Sequence, residues 1–127
     1  MGPLAGLRVL DIATIIAAPS AASLLADYGA DVVKAELPAG DGARGFPPHK
    51  DGKPLWWKVT NRGKRLITLD LRTPKGVALL LKLLPKFDVL VENFRPGTLD
   101  KWGLSKEVLW QAQPKLVILR TTGFGQT

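Results

Sequence analysis

Leu7-Arg8-Val9-Leu10-Asp11-Ile12, an Ala/Ser-rich run carrying Pro19 and ending at Gly29, and then Asp31-Val32-Val33-Lys34-Ala35-Glu36 together decide the fold. The two short apolar runs hold β-branched residues and read as strands. The segment between them reads as a helix, with proline near its first turn and glycine as its stop. Strand, helix and strand at this spacing make a βαβ unit, in which the strands run parallel and the crossover is right-handed.

The same alternation continues downstream. Arg65–Leu71 reads as a third strand. Thr73-Pro74 supplies a cap and a proline at the first helical position, and Val77–Leu84 is a leucine-rich helix stopped by Pro85. Asp88–Glu92 is a fourth strand, followed by a tight turn at Arg95-Pro96-Gly97. Ser105 caps a helix through about Gln111, Pro114 ends it, and Leu116–Leu119 is a fifth strand opening into Thr121–Gly125. Leu37–Lys58 has no sustained period and is expected to be a loop without regular structure, of a length that is usually functional or mobile. Trp56 and Trp57 close it, either packing it onto the core or stacking on a base. Strands alternating with helices predict an α/β domain with a mostly parallel sheet. Ligands then sit at the carboxyl ends of the strands, so Ala13–Pro19, Leu71–Thr73, Asn93–Gly97 and Thr121–Gly125 are the segments of interest.

Composition narrows the chemistry. At 127 residues the chain is sized for one domain. It has no cysteine, which excludes disulfides, thiolate metal sites and a cysteine nucleophile. Its single histidine, His49, rules out a histidine-rich metal site and reads as a solvated loop residue rather than a base. The longest uncharged run, Ile12–Ala26, is broken by Pro19 and too short to span a bilayer, and Met1–Gly6 resembles neither a signal peptide nor a myristoylation site. A cytoplasmic location is the expectation. The formal charge of +7 is uneven: residues 1–43 carry two basic and five acidic residues, whereas residues 44–127 carry sixteen basic and six acidic. The second part is expected to face an anionic partner: nucleic acid, an anionic membrane or a polyphosphate such as coenzyme A.

Glu36 ends the second strand where a dinucleotide-binding domain places a ribose-binding acid. The first turn, Ala13-Thr14-Ile15-Ile16-Ala17-Ala18-Pro19, nevertheless lacks Gly-x-Gly-x-x-Gly, so NAD is not expected. No Gly-Lys-Ser/Thr phosphate loop is present either. The helix start after that turn can offer amides to a phosphate, or it can be a buried strand–helix joint. Asn61-Arg62-Gly63-Lys64-Arg65 reads as a solvated turn, with a phosphate grip as the alternative. Glu92-Asn93-Phe94-Arg95-Pro96-Gly97 sets an amide, an aromatic ring and a guanidinium just past a strand end, a combination suited to a purine and phosphates.

Pro3–Asp11, Leu25–Lys34, Asn61–Arg65, Glu92–Gly97 and Gly123-Phe124-Gly125-Gln126 fall in an order and spacing that resembles the family III CoA transferases. That family includes formyl-CoA and carnitinyl-CoA transferases and α-methylacyl-CoA racemases. The resemblance covers essentially the whole chain. It implies that residues 1–127 are the N-terminal, CoA-binding portion of a Rossmann-like large domain, with a small domain elsewhere and two interlocked subunits in the full-length enzyme. It further implies that Ile15, Ile16 and Ala17 meet the nucleotide end of CoA, and that Leu69 and Arg72 contact it at the third strand's end. Asn93 and Phe94 would lie near the adenine, and Arg95 and Lys101 near the phosphates. Ile16 stands where some transferases have a polar side chain, and Leu37 where some have arginine.

In such transferases an aspartate accepts the acyl group, through an aspartyl-CoA anhydride and an aspartyl-CoA thioester. In the racemases a His/Asp pair moves the α-proton. By spacing, both constellations are expected beyond Thr127. No catalytic residue is therefore assigned within the chain, which is expected to be inactive alone, and no metal site is expected. Asp11, Asp27, Asp31, Asp41, Asp51, Asp70, Asp88 and Asp100 read as caps, strand ends and surface charges. The expected function is acyl-CoA:carboxylate CoA transfer, with acyl-CoA and carboxylic acids as partners and the racemase as alternative. A small basic nucleic-acid-binding module is the alternative of another class; its supports are a pI near 10 and the tryptophans, although no groove-reading or RNA-binding motif is present.

Overall fold

The computed structural model describes residues 2–126. In chain order the main elements are β1 (Arg8–Asp11), α1 (Ala17–Asp27), β2 (Asp31–Glu36), β3 (His49–Lys50), β4 (Lys53–Pro54) and α2 (Leu55–Thr60). They continue with β5 (Lys64–Thr68), α3 (Pro74–Leu83), β6 (Val89–Glu92), α4 (Thr98–Lys101), α5 (Lys106–Ala112) and β7 (Val117–Arg120). Five strands form one parallel sheet in the order β5-β2-β1-β6-β7. This is a Rossmann-like winding in which the strand order reverses between β1 and β6.

Both faces of the sheet are covered, which is why its central strands read as continuous apolar runs. Val9, Val32 and Val91 point to the face where Ala18 and Ala22 of α1 pack. Leu10, Val33, Ala35 and Leu90 point to the other, against Leu80, Leu84, Leu104 and Leu109 from α3, α5 and their flanks. Leu80 and Leu109 are completely buried, and each such side chain contributes about 1.5–3 kcal/mol relative to exposure. The expected caps are present. The Thr73 hydroxyl accepts from the Gly76 amide at 3.1 Å, and Ser105 accepts from Val108 at 3.4 Å.

Three sequence expectations change. The third strand ends at Thr68, three residues early. The Leu69 amide makes the last bond along Glu36, 2.8 Å to its carbonyl, and Leu69 and Leu71 then turn into the core. β5 is an edge strand exposed along most of its length, so its alternation does not mark a buried face.

The stretch 37–58 is not structureless. It holds a 3-10 turn at Gly42–Gly45, the antiparallel ribbon β3–β4, and the start of α2. Elements of two to six residues are too short to show a period, although Asp51-Gly52, both at positive φ, is a hairpin-turn dipeptide. Side chains hold this stretch together: the Arg44 guanidinium lies 3.5 Å from the centroid of the buried Trp57 ring, and Phe46 packs on Trp56. The third change is the short helix α4, which follows the Arg95–Gly97 turn and starts from Gly97 at φ +80°.

Candidate functional site at the carboxyl ends of the strands

At the reversal point, the loops that leave β1 and β6 are joined by one side chain. Asn93 Oδ1 accepts from the Thr14 amide at 2.8 Å, and Asn93 Nδ2 donates to the Thr14 carbonyl at 2.7 Å. A backbone unit is thereby matched on both its donor and its acceptor. Beside it lies a cavity of about 100 Å³, lined by Ile12–Thr14, Leu69, Leu71, Phe94 and Trp102, among others. Phe94 and Trp102 meet edge to face, with ring centroids 5.0 Å apart.

Most of the expected site residues gather around this aromatic pair. Leu69 and Phe94 line the cavity. Arg72 and Lys101 face a shared groove on the other side of Trp102, with Pro74 and Val77. Asn93, Phe94 and Arg95 border a third hollow, closed by Thr122–Gly125. Ile15, Ile16 and Ala17 lie just past the cavity's rim at Thr14 and line none of these three hollows. Ile16 and Ala17 are exposed at the start of α1, which has no side-chain cap and no acid in its first turn.

Charges around the site are arranged by pairing. Hydrogen bonds from the Arg72 guanidinium, both 2.8 Å, hold the Asp70 carboxyl down at about 2, and Asp70 in turn raises Arg72. Arg72 thus faces its groove as a neutralised ion pair. Burial pushes the Glu92 carboxyl up, opposed by the Phe94 amide at 2.8 Å and by Arg120 at 3.1 Å. Glu36 is committed to Arg44 through 2.8 and 2.9 Å bonds and accepts from the Asp41 amide, so it is not offered to a ribose.

A buried cluster of four charges beneath the β1–α1 loop escaped the sequence reading. Lys34 and Lys64 stand among Asp11 and Asp41, and all four side chains are at most 1% exposed. Asp11 ends β1 and Asp41 caps the 3-10 turn, in keeping with the caps and strand ends expected, but both side chains lie in the core. Burial lowers the Lys64 pKa, with Asp11 opposing it at 2.7 Å. The available signal was Lys34 itself, a lone charge inside Asp31-Val32-Val33-Lys34-Ala35-Glu36, where both neighbours face a core.

The uneven charge of the sequence also has an internal answer. All five acids of residues 1–43 are paired: Asp11 with Lys64 and Lys34, Asp27 with Arg62, Asp31 with Arg65, Glu36 with Arg44 and Asp41 with Lys34. Four of the partners come from the basic second part. Within the Asn61–Arg65 turn, Lys64 is buried against Asp11, while the exposed Arg62 and Arg65 pair with Asp27 and Asp31.

The profile described as CoA-transferase family III matches residues 4–127. The chain belongs to the family III CoA transferases. It is 52% identical over 127 residues to the succinyl-CoA–L-malate CoA-transferase beta subunit of Chloroflexus aurantiacus, covering 98% of this chain and 31% of that one. It is 44% identical over 126 residues to the formyl-CoA:oxalate CoA-transferase of Bradyrhizobium diazoefficiens, covering 96% of this chain and 29% of that one. A solved CAIB/BAIF family protein from Brucella suis superposes with a TM-score of 0.92 at 43% identity, over 99% of this chain and 35% of that one. The chain thus spans about a third of the length of the curated relatives it matches. As a family III CoA transferase segment it carries the carboxyl-end loops of the sheet, and among its described residues no group of acids and histidine is placed to hold a metal. No described helix is long and apolar enough to cross a membrane.

Proposed function

We propose that this chain supplies coenzyme A recognition to an acyl-CoA:carboxylate CoA transferase. The observation that carries the reading is the grouping of Leu69, Arg72, Asn93, Phe94, Arg95 and Lys101 around the Phe94–Trp102 pair at the strand-order reversal, where α/β sheets bind nucleotides. The aromatic edges suit an adenine, with Asn93 fixing the Thr14 backbone beside them, and Arg95 and Lys101 suit the phosphates. Ile16 and Ala17 contribute from the uncapped start of α1, which favours an anion, and Ile15 from the loop before it, its amide held by Asp41. In the full-length enzyme an aspartate beyond residue 127 would take the acyl group, and a second interlocked subunit would complete the site in the cytoplasm. Substrates would be an acyl-CoA and a carboxylic acid. The named relatives are CoA transferases, which supports transfer over racemisation.

Calorimetric titration with coenzyme A and, separately, duplex DNA at matched salt tests the reading. Coenzyme A is expected to bind and duplex DNA to show no tight complex. Tight DNA binding without a coenzyme response overturns it. Full-length protein is expected to exchange CoA between carboxylates, and residues 1–127 alone are not.

A further inference from the structure

Ile15 is a β-branched residue at φ +67°, in the left-handed region that such side chains avoid. A conformation of this kind persists only where its surroundings over-determine it. Here they do. Both carboxylate oxygens of Asp41 accept from the Ile15 amide, at 3.1 and 3.2 Å, and Asp41 Oδ1 also accepts from Ala43 at 2.9 Å. Lys34 Nζ sits 3.2 Å from Asp41 and donates to the Ala13 carbonyl at 2.7 Å. Asp11 accepts from the Ala13 amide at 2.9 Å, and Lys64 donates to Asp11 and to the Pro19 carbonyl, both at 2.7 Å. One buried cluster with two positive and two negative charges therefore holds residues 13 and 15 of the β1–α1 loop and residue 19 in the first turn of α1.

Stability alone does not require such a cluster, because buried ion pairs are often no better than apolar packing of the same volume. What it supplies is a fixed backbone. We propose that Asp41, backed by Lys34, is a positioning residue that locks Ile15 in the left-handed conformation and so presents residues 14–17 to acyl-CoA. This rests on the reading that the β1–α1 loop meets the coenzyme. Asp41 borders the cavity, but its side chain is only 1% exposed, so it acts through the Ile15 amide and, through Lys34, the Ala13 carbonyl.

The test uses the full-length transferase. Asp41→Asn keeps the shape and removes the charge that faces Lys34 and the Ile15 amide. The KM for acyl-CoA is expected to rise by about tenfold or more, the loss of a charge-assisted hydrogen bond. The KM for the carboxylate acceptor is expected to stay within about twofold. Leu109→Ala, in the core at α5, lowers the thermal midpoint without reaching the loop and is expected to leave the acyl-CoA KM unchanged. An unchanged acyl-CoA KM in Asp41→Asn overturns the assignment, as does an equal rise in Leu109→Ala. Phe94→Ala and Lys101→Ala separate the two levels. If they raise the KM while Asp41→Asn does not, only the positioning role fails; if they too leave it unchanged, the coenzyme reading fails with it. Should Asp41→Asn not fold, hydrogen exchange of the unmutated enzyme without coenzyme decides: the Ile15 amide is expected to be protected, and rapid exchange there overturns the proposal.

Discussion

Gly76 in the first turn of α3 offers a test in which two physical effects predict opposite signs. Helix propensity favours Gly76→Ala by about 1 kcal/mol, because alanine loses less backbone entropy in a helix. The surroundings forbid it. A Cβ at this position would stand 1.9 Å from the Asp70 carbonyl oxygen and 2.6 Å from its carbon, against the 3.0 Å below which real Cβ atoms essentially never come. The Asp70 backbone would have to retreat by about 1.1 Å, the difference between the 3.0 and 1.9 Å separations. It cannot yield like the tip of a flexible side chain, since Leu69 and Leu71 on either side are core residues and the Thr73 hydroxyl donates to that same carbonyl at 2.9 Å. Overpacking of this kind costs about 1–3 kcal/mol, toward the upper end for a backbone clash. The net expectation is a loss of about 2 kcal/mol, or about 6 °C in thermal midpoint. Urea titration followed by tryptophan fluorescence measures it, with Gly45→Ala, where nothing lies within 4 Å of the added Cβ, as the neutral control. A Gly76→Ala protein as stable as the wild type, or more so, would refute the close approach of α3 to the Leu69–Leu71 segment.

Asn93→Ala removes both hydrogen bonds to Thr14 and is expected to lower stability by about 2–3 kcal/mol, measured by the same titration. The Asp70 carboxyl is held at about 2 against an ordinary 3.8, so its contribution is present above 3.8 and lost as pH falls toward 2; Asp70→Asn is expected to flatten acid unfolding curves in that window. Glu92 has the opposite sign. Its pKa is raised by burial, so its contribution is present below the ordinary glutamate value and lost as pH rises through the raised one. Glu92→Gln, which keeps an acceptor for the Phe94 amide, is expected to remove that decline in midpoints scanned between pH 4 and 7. Arg95→Ala with Lys101→Ala is expected to weaken coenzyme A binding and to reduce its salt dependence, read by titration at two ionic strengths.

Sequence periodicity and capping carried most of the fold. The βαβ unit, the Thr73 and Ser105 caps and, apart from the early end of the third strand, the five parallel strands lie where the residues place them, because each depends on neighbours a few positions away. The short elements between Leu37 and Lys58 were illegible because Arg44, Phe46, Trp56 and Trp57 stabilise them through side-chain contacts rather than through a repeating pattern. The candidate site was legible as strand-end segments, and Asn93 and Phe94 were among its expected residues. The β1–α1 positions 15–17 were expected too, but what fixes them was not.

The α/β class and the family to which the chain belongs were legible in the residues alone, which also pointed to the strand ends as the candidate site. Tertiary structure alone decided the charges. The +10 excess of residues 44–127 read as a demand for an anionic partner, yet four of its sixteen basic residues answer acids of residues 1–43. Lys64 reaches Asp11 across 53 positions and Asn93 reaches Thr14 across 79. Such pairs have no local signature. They exist because the parallel winding brings distant strand ends together in a low-dielectric interior, where a charge must find its partner.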